Sequence, residues 1–297
     1  METVESLRDR LDTAESLQSV VTTMKALAAV NIQQLEGVIR SLDGYHRAVE
    51  LGLQVLLSNR PEGVRVLEPV LSASLGIVVF GSDQGMCGQF NEDIVSRAVE
   101  ELQEMEMQPR ERAILAIGLR ALGHLEDAGL AVDDYLGTPA SPGNIASVVD
   151  QIALHVERWR SERGFDRVLL YYNERVSSGH YRPITHRLLP IDRQWLEGIE
   201  RRRWPSRMLP TFSMPWHPLF SHLMQQHLLV TLYRAVVQSM ISEHTARMAS
   251  MQAAESNIEE RLEELRTRFR QTRQSSITAE LLDIIAGFEA LRTSRDL

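Results

Sequence analysis

LYRAVVQSMISEHTARMASMQAAESNIEERLEELRTRF, residues 232–269, decides how this chain folds. Val237, Ile241, His244, Met248, Met251, Glu255, Ile258, Leu262, Leu265 and Phe269 recur at alternating steps of four and three. That spacing is a heptad seam, with His244 and Glu255 as its polar breaks. Ile277, Leu281, Ile284, Phe288 and Leu291 resume the stripe one residue out of phase, a slip that changes the supercoil locally. Pro210, Pro215 and Pro218 punctuate the start, and no proline follows as far as Leu291. The pattern predicts a helix of about 75 residues, roughly 110 Å long.

The other end of the chain carries a matching stripe. Val4, Leu7, Leu11, Ala14, Leu17, Val21, Met24 and Ala28 fall on one helix face, and Ile32, Leu35, Ile39, Leu42, Tyr45 and Val49 extend it. No proline interrupts it before Pro61, although Gly37, Gly44 and Gly52 each weaken a helix by about 1 kcal/mol relative to alanine. Neither helix can leave its stripe in water. The economical solution is an antiparallel coiled coil of the two.

Between them the period changes. Leu75 to Phe80 is a short apolar run followed by glycines, as in a buried parallel strand. Asn91 is the expected N-cap of a helix carrying Ile94, Val95, Ala98 and Leu102. Ala113 to Ile117 reads as a second strand. Asn144 precedes a helix with Val148, Ile152, Val156 and Trp159, and Arg167 to Asn173 is the next strand. Ser177-Ser178-Gly179 turns the chain, and Tyr181 to Pro190 returns. The sequence therefore predicts an α/β domain with a mostly parallel sheet at residues 70–192, inserted between coiled-coil helices at 1–57 and 212–291.

Composition narrows the function. The formal net charge is −8, a poor basis for neutralising nucleic-acid phosphates. Lys25, the one lysine, lies between Met24 and Ala26, so no Gly-Lys-Ser/Thr phosphate loop exists. The single cysteine, Cys87, excludes an intramolecular disulfide and a cysteine-rich zinc site. No apolar run approaches the ~20 residues that a membrane span requires, and the charged N-terminus resembles neither a signal nor a transit sequence. The Gly81–Gly88 loop follows a strand and precedes a helix, yet it lacks the dinucleotide glycine spacing, and Asp83 would repel phosphate. It reads as a glycine-dependent turn. His217, His222 and His227 scatter around a helix and make a poor metal set, and Arg201 to Arg203 read as a solvated loop.

Three strings, in order, resemble the gamma subunit of F-type ATP synthases. The first is Val20-Val21-Thr22-Thr23-Met24-Lys25-Ala26-Leu27-Ala28-Ala29. The second is Ser82-Asp83-Gln84-Gly85-Met86-Cys87-Gly88-Gln89-Phe90-Asn91. The third joins Ser242-Glu243-His244-Thr245-Ala246-Arg247-Met248 to Arg273-Gln274-Ser275-Ser276-Ile277-Thr278-Ala279-Glu280-Leu281. The chain departs from the family after the alanine run, where Asn31 to Glu36 carry no positive charge. Such a departure marks a divergent branch of the family, and within the family reading the lack of a transit sequence favours a bacterial member.

The resemblance implies a central rotor shaft, which couples ion flow through a membrane rotor to ATP synthesis or hydrolysis in a ring of α and β subunits. The shaft would have no catalytic residue, cofactor or metal. Its partners would be α, β, the epsilon subunit and the membrane rotor ring, on the cytoplasmic side of a bacterial plasma membrane. Carried over residue by residue, Arg273, Gln274, Thr278 and Glu280 would meet a catching loop of β, and Met24 and Lys25 a mobile acidic segment of β. Glu243 and Arg247 would support coupling; by spacing alone they are an i,i+4 pair worth a few tenths of a kcal/mol. A non-rotary coiled-coil scaffold and a doubly wound nucleotide enzyme are the alternative readings of the same periodicities.

Overall fold

The structure is a computed structural model that describes residues 3–62, 64, 74–105, 107–177, 179–208 and 210–293. Ser178 lies outside the described residues, as do residues 70–73 and the side chains of Phe288 and Leu291. In chain order the elements are α1 (Val4–Ser58), β1 (Leu75–Phe80), α2 (Phe90–Glu104), β2 (Arg112–Ile117) and α3 (Leu119–Asp127). Then follow β3 (Asp134–Leu136), α4 (Ile145–Arg163), β4 (Arg167–Ser177), β5 (His180–Leu189), α5 (Arg193–Arg201) and α6 (Trp216–Thr293).

The two long helices form as the stripes require. α1 runs for 55 residues without a break at its three glycines, and α6 for 78. They pack together through those stripes. α6 starts at Trp216, between Pro215 and Pro218, four residues after the expected bound at 212. Pro218 sits in its first turn, where a missing N–H leaves no helical bond unmade.

The chain divides into two compact units. The first joins residues 1–27 to 249–297. Leu7, Met251, Leu262 and Leu265 are buried in it. Arg266 pairs with Glu15 at 2.9 Å, and Glu255 meets Thr22 and Lys25, so the helices run antiparallel. Leu17, expected in the stripe, is 53% exposed, because an unbroken helix drifts off a strict seven-residue repeat.

The second unit spans residues 28–248 and holds the sheet. Strand order is β3-β2-β1-β4-β5; the first four are parallel and β5 pairs antiparallel with β4. One face of the sheet (Val78, Phe80, Leu115, Leu170) packs with α4 and with Leu232, Val236, Val237 and Ile241 of α6. The other (Ile77, Val79, Ile114, Tyr171) packs with α2, through Ile94, Ala98 and Leu102. Both faces of β1 are therefore buried, which is why it reads as an unbroken apolar run. β4 continues four residues past its expected end at Asn173, since β5 pairs with it along nearly its whole length.

Capping departs from expectation. Helix α2 begins at Phe90, with Gln89 at the cap position. The Asn91 side chain turns inward and accepts from Ser82 N–H at 2.9 Å. Asn144 does precede α4, but its side chain bonds Ser141 rather than the helix.

α5 docks through Leu196 and Ile199 against Val49 and Leu53 of α1 and Met224 of α6. Beside this contact His227 stacks on Trp195 at 4.0 Å and faces His46 at 5.7 Å. With His186 and Arg234 these groups line a cavity of about 300 Å³. Burial first, then the His46 charge, holds His227 down to about 4. His46 and His186 are lowered too, by burial first. Unfolded histidines bind protons near pH 6.5, before the folded ones do. Stability should therefore be full above about pH 6.5 and fall as the pH drops towards 4. Thermal unfolding between pH 7.5 and 4.5 checks this, and His227→Gln should make the fall shallower; an equal slope in the variant contradicts the assignment.

Gly118 joins β2 to α3 at φ +101°, and a Cβ there would lie 2.7 Å from the Ser82 backbone nitrogen. Its N–H also donates to the Leu136 carbonyl at 2.8 Å. Gly118→Ala should cost about 1–3 kcal/mol through backbone strain and overpacking. Urea unfolding measures it, and an unchanged midpoint would refute the reading.

Candidate functional site

The residues singled out in sequence fall into two groups, each within one unit. In the first unit, Arg273, Gln274, Thr278 and Glu280 are all exposed on α6. At 100° per residue they occupy an arc of about 160° on the helix surface. Arg273 and Glu280 sit one above the other, seven residues apart. The Thr278 hydroxyl donates back to the Gln274 carbonyl at 2.8 Å, which fixes its rotamer and leaves its lone pairs outward. The arc offers one cation, one anion and one amide to a partner. Within the same arc, Ile277, Leu281 and Ile284 are 48%, 55% and 67% exposed, so this face of α6 also presents apolar surface.

Met24 and Lys25 are half-buried rather than free on the surface. The Lys25 ammonium binds the Glu255 carboxylate and donates to Gln252 Oε1 at 3.3 Å, while the Thr22 hydroxyl donates to Glu255 at 2.9 Å. Hydrogen bonds from Lys25 first and Thr22 second hold Glu255 below the usual carboxylate range. The single lysine and the polar break in the α6 seam are thus one cross-helix contact. Sequence spacing lists both residues without pairing them.

The second group surrounds the loop that follows β1. Spacing alone made Glu243 and Arg247 an i,i+4 helix pair; the structure also buries them. Their side chains are 10% and 7% exposed, and Arg247 Nη2 donates to Glu243 Oε1 at 2.7 Å. Burial pushes the Glu243 carboxyl up, against the Arg247 charge. The same guanidinium nitrogen lies 3.4 Å from the carbonyls of Gln84 and Gly85. Burial, then the Arg247 charge, also lowers the neighbouring His244 to about 4, so it stands neutral at pH 7. Removing one partner of a buried pair costs about 3–5 kcal/mol, far more than the surface figure.

Three further contacts fasten the same loop. Ser242 donates to the Asn173 carbonyl at 2.8 Å, and Asn173 Nδ2 to the Phe90 carbonyl at 2.8 Å. Cys87, Phe90 and Ala246 form one apolar cluster, closed by Tyr181. Burial raises the Cys87 thiol, which makes it a poor nucleophile at neutral pH. At the loop's tip Met86 has φ +60° and is 61% exposed, a conformation rarely adopted by a non-glycine residue. Gly88, at φ +58°, supplies the glycine turn that the sequence implies.

Asp83 has a role that charge alone did not reveal. Its carboxylate accepts from the N–H groups of Leu119 and Thr138, each at 2.8 Å, and from the hydroxyls of Thr138 and Tyr135, at 2.8 and 3.0 Å. Burial acts to raise it, but these four donors outweigh that and hold it low. Asp83 occupies the N-terminus of α3 at the carboxyl end of the parallel strands, the place where a doubly wound enzyme binds phosphate. The chain's own carboxylate fills that position.

Among the described residues no helix is long and apolar enough to cross a membrane. The family model for ATP synthase matches residues 3–291. The ATP synthase gamma chain of a Cyanothece species is 27% identical over 320 residues, covering 98% of this chain and 100% of that one. That of an Anaeromyxobacter species is 28% identical, with the same two coverages, and that of Nitrosomonas eutropha 24%, covering 96% and 98%. Among solved structures, a chain of the Euglena gracilis mitochondrial ATP synthase OSCP/F1/c-ring assembly superposes with a TM-score of 0.66 at 18% identity, over 99% of this chain and 96% of its own. A chain of the Tetrahymena thermophila central stalk and c-ring gives 0.54 at 18%, over 79% and 99%. With the match running through both long helices and the sheet between them, the chain belongs to the ATP synthase gamma-chain family, as a divergent member.

Proposed function

We propose that this chain turns as the central shaft of an F-type ATP synthase and meets its catalytic ring through the exposed arc of α6. It is the gamma subunit, a non-catalytic part of the central stalk. The observation that carries the reading is the pair of helices of 55 and 78 residues, whose distal end keeps apolar side chains in water. Ile277, Leu281 and Ile284 call for a surrounding partner surface. Two packed helices also resist bending and twisting better than one. A ring of α and β subunits around that end supplies the cover, and the asymmetric faces of the shaft set the three catalytic sites to different states.

The chemistry of the arc fits a contact that forms and breaks each step. Arg273 brings a forked cation, Glu280 an anion, and Gln274 and Thr278 neutral donors and acceptors. Met24 and Lys25 belong to a second contact with β. The Lys25–Glu255 pair fits this, because an acidic segment of β would compete with Glu255 for the ammonium. The epsilon subunit and the membrane rotor ring complete the partners, with the catalytic head on the cytoplasmic side of a bacterial membrane; that the curated relatives are bacterial supports the choice of membrane. The nucleotide-enzyme reading loses its footing at Asp83, which takes the place of a phosphate.

Co-expression with α and β from the same source tests this reading. A complex of three α, three β and one copy of this chain is expected by native mass. Arg273→Ala with Gln274→Ala should lower its ATPase turnover by roughly tenfold, the loss of one charge-assisted contact. Absence of a complex, with well-folded α and β, would overturn the shaft reading. Full turnover in the double variant would overturn the assignment of the arc.

A further inference from the structure

Where α1, α5 and α6 meet, the second unit has a further cavity of about 310 Å³, at the small end of the roughly 300–1,000 Å³ range of ligand sites. Four guanidiniums line it, from Arg47, Arg202, Arg203 and Arg234, against the carboxylates of Asp43 and Glu50. The excess of cations is local. From Arg201 to Ser242 the chain has five arginines and no acidic residue, although its net charge is −8. The carboxylates also do not pair as helix spacing would have them. Arg47 has Asp43 four residues before it and Glu50 three residues after it, the usual partners on a helix surface. Both are taken by arginines of other elements: Arg202 Nη1 donates to Glu50 at 2.8 Å, and Arg234 binds Asp43. Arg47 and Arg203 are left without a carboxylate partner among the described residues. His46, on the same wall, is lowered by burial first, so it adds a neutral donor and acceptor at pH 7.

We infer that this cavity binds a phosphate ester, with Arg47 and Arg203 as the recognising forks and the Asp43–Arg234 and Glu50–Arg202 pairs as its walls. The inference rests on the cavity and not on the shaft reading. A guanidinium presents parallel N–H groups that match two phosphate oxygens. A phosphate monoester carries close to two negative charges at neutral pH, which equals the two cations that the walls leave over. A carboxylate ligand would leave one of them unmatched. The concave site between three helices strengthens the attraction, since its low-dielectric walls focus the field of the free arginines. A soluble phosphate ester and the headgroup of an anionic lipid carry the same group. Trp204, between two residues of the cavity wall, donates from Nε1 to the Met208 carbonyl at 2.8 Å, and the Met208 side chain is 82% exposed. A lipid would therefore find an apolar contact beside the site.

Chemical modification of arginine by phenylglyoxal, read residue by residue by peptide mass, tests this on the full-length chain. Saturating glycerol phosphate should slow modification of Arg47 and Arg203 by about fivefold or more. Arg193 and Arg273, both exposed, are the controls that should react at an unchanged rate, and potassium chloride of equal ionic strength should protect none of the four. Arg47→Ala removes an exposed side chain, so the fold stays, and the protection of Arg203 should be lost with it. Asp43→Asn releases the Arg234 charge into the cavity and should tighten binding by about threefold or more. Vesicles separate the two sources. Protection by phosphatidylcholine vesicles that contain phosphatidic acid, at lower phosphate concentration than glycerol phosphate needs and absent with phosphatidylcholine alone, assigns the site to a lipid headgroup. Protection by glycerol phosphate without any from the vesicles assigns it to a soluble ester. Unprotected Arg47 and Arg203 in both arms would overturn the inference, as would equal slowing of all arginines or protection of Arg203 that survives Arg47→Ala.

Discussion

Everything in this structure depends on two apolar stripes that neither helix can bury alone. α1 and α6 each run far beyond the length at which a lone helix holds together by propensity, so their persistence rests on mutual burial. Leu7, Met251, Leu262 and Leu265 do this in one unit, and Leu35, Val237 and Ile241 in the other. The polar contacts between the helices, such as Glu15 with Arg266 and Asp43 with Arg234, add register to a contact whose strength is apolar. Where the stripe continues without cover, at Ile277 to Ile284, the chain declares its need of a partner.

The sheet region is subordinate to that pair, yet it is built with more polar precision. Three buried or half-buried groups organise the loop after β1: Asp83 on one side, Asn91 beneath, and Arg247 from α6. Asp83 and Asn91 make their hydrogen bonds within the protein, as do the terminal nitrogens of Arg247, and this offsets the cost of burying them. A loop of this kind, ending in the strained and exposed Met86, is held in shape from three directions at once.

Much of this was legible in the residues. The period of four and three gave α6, and the apolar run at Leu75 to Phe80 gave the central parallel strand. The family strings gave the identity. Asn91 misled because an asparagine ahead of a helical pattern has a use beyond capping, and only tertiary structure shows that its amide faces Ser82. Leu17 and Tyr45 misled because a stripe read by fixed steps ignores the slow drift of a straight helix. The burial of Glu243 and Arg247 was hidden for another reason. An i,i+4 charge pair looks the same in sequence whether water or a loop from 160 residues away covers it. Lys25 and Glu255 stand 230 residues apart, and only the antiparallel register brings them together.

The central claim is mechanical, so the most direct measurement is of motion. Arg203 is exposed and Cys87 is buried, so Arg203→Cys accepts a marker in a complex of this chain with its α and β subunits fixed to a surface. Unidirectional rotation of that marker during ATP turnover is the expected result. A marker that stays still while the same complexes hydrolyse ATP would contradict the account of this chain as a shaft.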